Sequence, residues 1–348
     1  MADEKNLTIK DIAELANVSI ATVSRVLNNN SWVSDKTRTK VQKVIDEHHF
    51  SPNLMARSMI SRKSMTLAVV VSDITNPYFA TLVEQIEKAC LQAGYKIILF
   101  DTQSANKRAG SAQVIAEDQI FNTIIDSQLD GVIILGGNID YLKVPESYLQ
   151  GLKKLIASLP VIVVGRKLAR YDYTCLERDQ VNCVAMITRH LLEKGYRDIA
   201  FVGGSSHVYM TGQRVATFLQ TLKAAGIDEH AAAIFETNFY PEHGYDAAVK
   251  LLKSGRPLPQ AILAINDRVA MGAIRALKDN GLTVPEDIAV ASCEYFPGSE
   301  YFIPRITTID HKNNEIGQQV IRQMMTILQD MLPDVSPITP QLIAGESA

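Results

Sequence analysis

Residues 19–28, Ser-Ile-Ala-Thr-Val-Ser-Arg-Val-Leu-Asn, set two opposed faces at helical spacing. Val23, Val26 and Leu27 fall on one side; Ala21, Ser24, Arg25 and Asn28 fall on the other. The second face is small and polar with one long cation, and it begins at a helix N-terminus capped by Ser19. Such a face fits a DNA major groove, where small side chains allow close approach and an arginine fork can reach guanine O6 and N7. Spacing alone also describes an ordinary helical hairpin. Neither G-x-G-x-x-G after a strand nor a P-loop, G-x-S-x-G or H-E-x-x-H occurs, so no enzyme motif competes for attention. No metal or cofactor is implied.

The elements around that face read as a short helical head. Thr8 caps a first helix whose Ile9, Ile12, Ala13 and Ala16 lie at i, i+3, i+4 and i+7. Asn17-Val18 suits a tight turn. Ser34 caps a third helix carrying Thr37, Val41, Val44, Ile45 and His48 at helical spacing. After Phe50, Ser51 and Pro52 can start a helix over residues 53–60, too short to persist in water without a partner. The polar run Ser61-Arg62-Lys63-Ser64 then marks a boundary.

Beyond it, apolar strands alternate with amphipathic helices. Leu67–Val71, Lys96–Phe100, Gly131–Leu135, Pro160–Val164, Asp198–Gly203, Ala261–Ile265 and Asp287–Ala291 are the strand candidates. Phe79, Leu82, Val83, Ile86, Cys90 and Ala93 stripe the helix after the first of them. This alternation predicts an α/β fold with parallel sheets covered by helices. More than 250 residues of it, within a chain of 348, call for two lobes rather than one.

Composition agrees with a soluble chain: 47% hydrophobic, 21% charged, formal net charge −3. Ten Lys/Arg against seven Asp/Glu in residues 1–63 make the head +3 and the rest −6, a weak pointer to nucleic acid. The four cysteines, Cys90, Cys175, Cys183 and Cys293, form no C-x-x-C pair, which argues against structural zinc and disulfides. No apolar run is long enough to span a membrane, and the polar N-terminus carries no secretory signal. A cytoplasmic location is expected.

Leu7–Ala13, Val18–Asn28, Val33-Ser34, Thr37-Arg38 and Ser51–Arg57 together resemble the headpiece of the lac-repressor (LacI/GalR) family. The body resembles that family's effector domain, itself like periplasmic sugar-binding proteins. Its marks are Asp73–Phe79, Gly94-Tyr95, Asp130-Gly131, Pro160–Arg166, His190–Tyr196, Asn266-Asp267, Ala270–Ala273, Gly281–Ile288 and Thr307–Ile309. The resemblance implies a headpiece at 1–50, a hinge helix and linker at 51–64, and an effector and dimerisation domain at 65–348. Lobe 1 would cover about 65–164 and 310–335, and lobe 2 about 165–309 and 336–348, with crossovers near 164, 309 and 335.

Carried over residue by residue, the resemblance places Thr8, Ser19, Ile20, Ala21, Thr22, Ser24, Arg25, Asn28 and Thr37 on operator DNA. Arg25 would grip a guanine, while Ile20 and Ala21 would read thymine methyls and groove shape. Asn53, Ala56 and Met59 would enter the minor groove, Met59 standing where the family wedges a leucine. Tyr78, Phe79, Arg166, Asp179, Arg214, Phe239, Asn266 and Glu294 match the family's effector pocket. Arginine and carboxylate groups suit vicinal hydroxyls, and the aromatics suit the C–H face of a sugar.

The sequence departs from the family at Gly165, at Asn182-Cys183, at Met210 and at Ser292–Tyr295, where Glu294 stands for a shorter Asp. Arg166 with Arg214 leaves room for an acidic or phosphorylated sugar. The implied protein is a homodimeric repressor of a carbohydrate operon, binding a pseudo-palindromic duplex and released by a sugar-type effector. Corepressor-dependent relatives of purine type share the same residues, with the coupling reversed. A stand-alone sugar-binding protein would need no headpiece.

Overall fold

A computed structural model describes residues 7–27, 32–48, 50, 63–104, 117–332 and 336–348. Asn28, Asn53, Ala56, Met59 and the expected hinge helix lie outside them. The chain divides into two compact units, Met1–Ser64 and Met65–Ala348.

The first unit contains α1 (Ile9–Leu15), α2 (Ile20–Leu27) and α3 (Asp35–Glu47). A capping box starts α1: Asp11 N–H donates to Thr8 Oγ1 at 3.4 Å, and Thr8 N–H donates to Asp11 Oδ2 at 2.7 Å. Asn17, at φ 46°, takes the left-handed turn that its short polar side chain tolerates. Ile12, Ala13, Ala16, Val23, Val26, Val41 and Ile45 from the three helices form one small core.

The second unit begins with β1 (Thr66–Val71), α4 (Pro77–Gln92), β2 (Lys96–Asp101), α5 (Glu117–Asp126), β3 (Gly131–Leu135), α6 (Glu146–Ser158), β4 (Val161–Val164) and β5 (Thr174–Leu176). These strands form a parallel sheet in the order β2-β1-β3-β4-β5. Then follow α7 (Gln180–Glu193), β6 (Ile199–Val202), α8 (Tyr209–Ala224), β7 (Ile234–Phe235), α9 (Pro241–Leu252), β8 (Ala261–Ala264), α10 (Asp267–Asp279) and β9 (Ala289–Ser292). Their strands make a second parallel sheet, β7-β6-β8-β9. The order reverses about β1 and about β6, so each sheet is doubly wound, as the alternating sequence predicts.

Three segments run between these lobes. The chain leaves lobe 1 after β5, returns through β10 (Thr308–Asp310) into α11 (Asn313–Ile327), and comes back as β11 (Gln341–Ile343), antiparallel to β10. Ile316, Val320, Ile321 and Met324 of α11 share a core with Leu82 and Ile86 of α4. The second lobe holds its own core around Phe201, Phe218 and Leu263.

The first boundary therefore lies beyond Leu176 rather than near residue 164. Gly165, at φ 152°, turns the chain out of β4 and its N–H donates to Leu176 O at 3.1 Å, seating β5 beside β4. A three-residue strand carries too little alternation to register in the sequence.

Candidate functional site

In the first unit, the outer face of α2 is open. Ser19, Ile20, Ala21 and Arg25 are exposed, Thr22 and Ser24 are half-buried, while Val23 and Val26 supply the core. Three of the expected contact residues sit at helix starts. Thr8 caps α1, Ser19 accepts from Thr22 N–H at 3.1 Å at the start of α2, and Thr37 Oγ1 meets the α3 cap Ser34 at 2.9 Å. Helix N-termini present unpaired N–H groups, the arrangement that receives phosphates. A groove-sized helix face thus lies beside phosphate-ready caps.

In the second unit, a cleft of about 190 Å³ opens at the C-terminal ends of the strands of both sheets. Lobe 1 contributes Tyr78 and Phe79 from the start of α4, Asp140 after β3 and Arg166 after β4. Asn76 caps α4, accepting from Tyr78 N–H at 3.1 Å, which fixes both aromatics at the mouth of the helix. Gly136 lies against Phe79: a Cβ there would come within 3.1 Å of the ring, and its φ of 67° favours glycine. Lobe 2 contributes Phe239 after β7, Asn266 after β8 and Glu294 after β9.

The charged floor differs from the expected one. Arg178, on the first interlobe segment, donates Nη1 to Glu294 Oε1 and lies 4.1 Å over the Tyr78 ring. Arg214 donates Nη2 to Glu294 Oε2 at 3.0 Å, Nε to Gln180 Oε1 at 2.9 Å and Nη1 to Ile265 O. Burial disfavours a charged Glu294, but the two guanidiniums outweigh it and hold its carboxyl down at about 2. Arg166 donates to Tyr141 O at 3.0 Å and stacks 4.4 Å over Tyr209. Asn266 is spent internally, its Oδ1 capping α10 through Val269 N–H and its Nδ2 on Phe239 O. Burial pushes Asp140 up to about 6, against the pull of Arg178.

Two expected ligand contacts are corrected. Arg214 is fully buried and lies beneath the cleft, its three nitrogens all engaged by protein. Asp179 is exposed and caps α7, accepting from Asn182 N–H at 2.8 Å, and its flanking residues Arg178 and Gln180 line the cleft instead. Arg178 is not among the positions that the family resemblance implies, and its inward place follows from β5 beside β4. Tyr78, Phe79, Arg166, Phe239, Asn266 and Glu294 do line the cleft.

Residues 8–53 match the family of bacterial regulatory proteins, lacI family, and residues 188–348 match the periplasmic binding protein-like domain. The HTH-type transcriptional repressor PurR of Klebsiella pneumoniae (strain 342) is 31% identical over 320 residues, spanning 91% of this chain and 89% of that protein. The chain belongs to the LacI family. It is a DNA-binding transcriptional repressor with a helix-turn-helix headpiece and a periplasmic-binding-protein-like body. Among solved structures, the lac repressor dimer bound to operator and the anti-inducer ONPF superposes with a TM-score of 0.84 at 23% identity, covering 99% of each chain. The transcriptional regulator CelR–cellobiose complex gives 0.68 at 25% identity, over 98% of this chain and 100% of that one. Among the described residues of this LacI-family chain, no helix is long and apolar enough to cross a membrane.

Proposed function

We propose that this LacI-family repressor acts as a homodimer in the cytoplasm. A small sugar-type effector, bound in the cleft that Tyr78, Phe79, Arg166, Arg178, Phe239 and Asn266 line, releases it from a pseudo-palindromic operator. One observation carries this reading: aromatic side chains from both lobes and two guanidinium groups converge at the C-terminal ends of the strands, where ligands of such sheets bind. The aromatics suit the apolar face of a sugar ring, and the polar groups suit its edge. The comparison with a CelR–cellobiose complex supports the ligand class.

The headpiece supports the partner. Arg25 is exposed on α2 together with Ile20 and Ala21, which supports a role for it in reading a guanine. Thr8, Ser19, Thr22, Ser24 and Thr37 would hold phosphates or nearby base edges. Two patches support the dimer. The edge strand β2 exposes Ile98 and Leu99, and an open apolar groove beside Met271 and Tyr245 carries Tyr301 and Ile303, which are 84% and 86% exposed. Either patch would be covered in a dimer.

The cleft in this reading binds and does not transform its ligand. Its nearest thiols, Cys183 and Cys293, are buried beneath the floor, and burial pushes both up to about 12, far from a reactive thiolate. The experiment is a titration of operator duplex with the full chain, with and without candidate sugars. Loss of duplex binding on adding a sugar supports the reading. Binding that appears only with the compound reverses the sign of coupling and makes the ligand a corepressor. Failure to bind any duplex from its own upstream region contradicts it.

A further inference from the structure

Resting on the reading of the cleft as the effector site, we infer that the effector carries an oxyanion, a carboxylate or phosphate on a small hydroxyl-bearing ring, and that Arg178 receives it. Glu294 is the carboxylate at the cleft floor, and each of its oxygens already holds a guanidinium, one Arg178 and the other Arg214. Arg214 is fully enclosed and turned entirely to protein acceptors. Its charge offsets that of Glu294. The Arg178 charge is then left over at the cleft wall.

The geometry around Arg178 fits that surplus. Its Nη1 is on Glu294, while among the described residues Nη2 meets only the weak acceptor Met210 Sδ at 3.5 Å, and the guanidinium is held over Tyr78. Arg166 adds a second guanidinium to the lining of the same cleft. A neutral sugar would offer hydroxyls to these donors but no charge, leaving Glu294 and Asp140 to balance the three guanidiniums of Arg166, Arg178 and Arg214. An oxyanion meets a guanidinium fork bidentately.

Three acidic groups face or adjoin the cleft and must be set against this. Glu177 accepts the Lys167 N–H at 2.9 Å on the exposed side of the first interlobe segment. Asp140 accepts the backbone N–H of Arg166, and among the described residues no ion pair joins it to Arg166 or Arg178. Glu117, beneath Gly137, accepts Asn138 N–H at 3.2 Å. Burial pushes Asp140 up to about 6 and Glu117 up to about 7, so both can take up a proton when an anion arrives.

The test is calorimetric titration of the full chain with glucose, glucuronate and glucose 6-phosphate, repeated with Arg178→Gln. Arg214 still balances Glu294 in that variant, and circular dichroism checks that the fold is kept. The expected result is that at least one charged sugar binds about tenfold or more tighter than glucose, and that Arg178→Gln abolishes the preference. Which charged sugar binds tighter distinguishes carboxylate from phosphate. A charge preference that survives in Arg178→Gln overturns the assignment to Arg178. Binding of glucose alone, lost in Phe239→Ala, overturns the oxyanion while keeping the cleft as the effector site. Binding of none of the three overturns both.

Discussion

Arg178 and Glu294 are joined across the lobes, the guanidinium bonding the carboxylate while it rests on the ring of Tyr78. Arg178 leaves the first sheet at the end of β5, and Glu294 follows β9 of the second, so the pair ties the two lobes at the cleft floor. With Arg214 beneath, it forms a buried triad that sets the charge seen by a ligand and couples that charge to lobe position. Breaking one partner of such a buried group costs far more than a surface pair would.

Removing the Glu294 charge should therefore act on stability and on its pH dependence together. Glu294→Gln leaves two buried guanidiniums facing each other, an expected loss of about 3–5 kcal/mol in denaturant unfolding. In the unaltered chain, the Glu294 carboxyl is held at about 2, below its ordinary 4.5. Its stabilisation is thus complete above pH 4.5 and is lost as pH falls toward 2. Groups shifted upward, Asp140, Glu117 and Asp267, act oppositely, adding stability as pH falls from about 7 toward 4. Buried neutral His311, held at about 3, subtracts as pH drops below 6.5. Glu294→Gln should flatten the acid limb below pH 4.5; an unchanged limb contradicts the triad.

Arg214 and Asp179 were expected to share one role and should behave differently. Arg214→Ala strands Glu294, Gln180 and the Ile265 carbonyl in the interior, so the body should lose about 3–5 kcal/mol. Asp179→Ala removes only a helix cap and should cost about 0.5–2 kcal/mol with ligand binding retained. Thermal unfolding and calorimetry on the two variants compare them directly. Equal effects would sink the distinction.

The crossing of α9 over α10 depends on backbone proximity. A Cβ on Gly272 would sit 1.9 Å from Pro241 O, and one on Gly244 would sit 2.1 Å from Val269 O. Neither neighbour is a flexible side chain, so the helices must separate. Gly272→Ala should destabilise the chain by roughly 1–3 kcal/mol or more. A melting temperature equal to that of the unaltered chain would show that the helices do not approach so closely.

In the headpiece, Arg25→Ala should cost about 1–3 kcal/mol of specific operator binding and relax selectivity at one base pair. Competition between operator variants reads it. An unaltered preference at every position would remove Arg25 from base reading and leave it a phosphate contact.

The long apolar runs made much of this architecture legible. Leu67–Val71, Gly131–Leu135 and Ala261–Ile265 are buried in parallel sheets, and such strands read as continuous hydrophobic stretches. β5, β7, β10 and β11 were not anticipated, because two or three residues show no period. Asp179 and Arg214 are positions implied by the family resemblance, and a resemblance carries no local contacts: β5 seats Arg178 rather than Asp179 at the cleft, and three internal acceptors hold Arg214 beneath it. Helix caps, by contrast, are local, and Thr8, Ser19 and Ser34 were readable from their types and spacing.

The most direct test of the account is operator affinity of the full chain, measured by fluorescence anisotropy on its own upstream duplex while a cleft ligand is titrated. A coupling of about 1–3 kcal/mol should weaken binding by roughly 5- to 150-fold at saturation, and Phe239→Ala should erase the response without altering affinity for free duplex. An affinity unmoved by any ligand that calorimetry shows to occupy the cleft would contradict the claim that the cleft controls DNA binding.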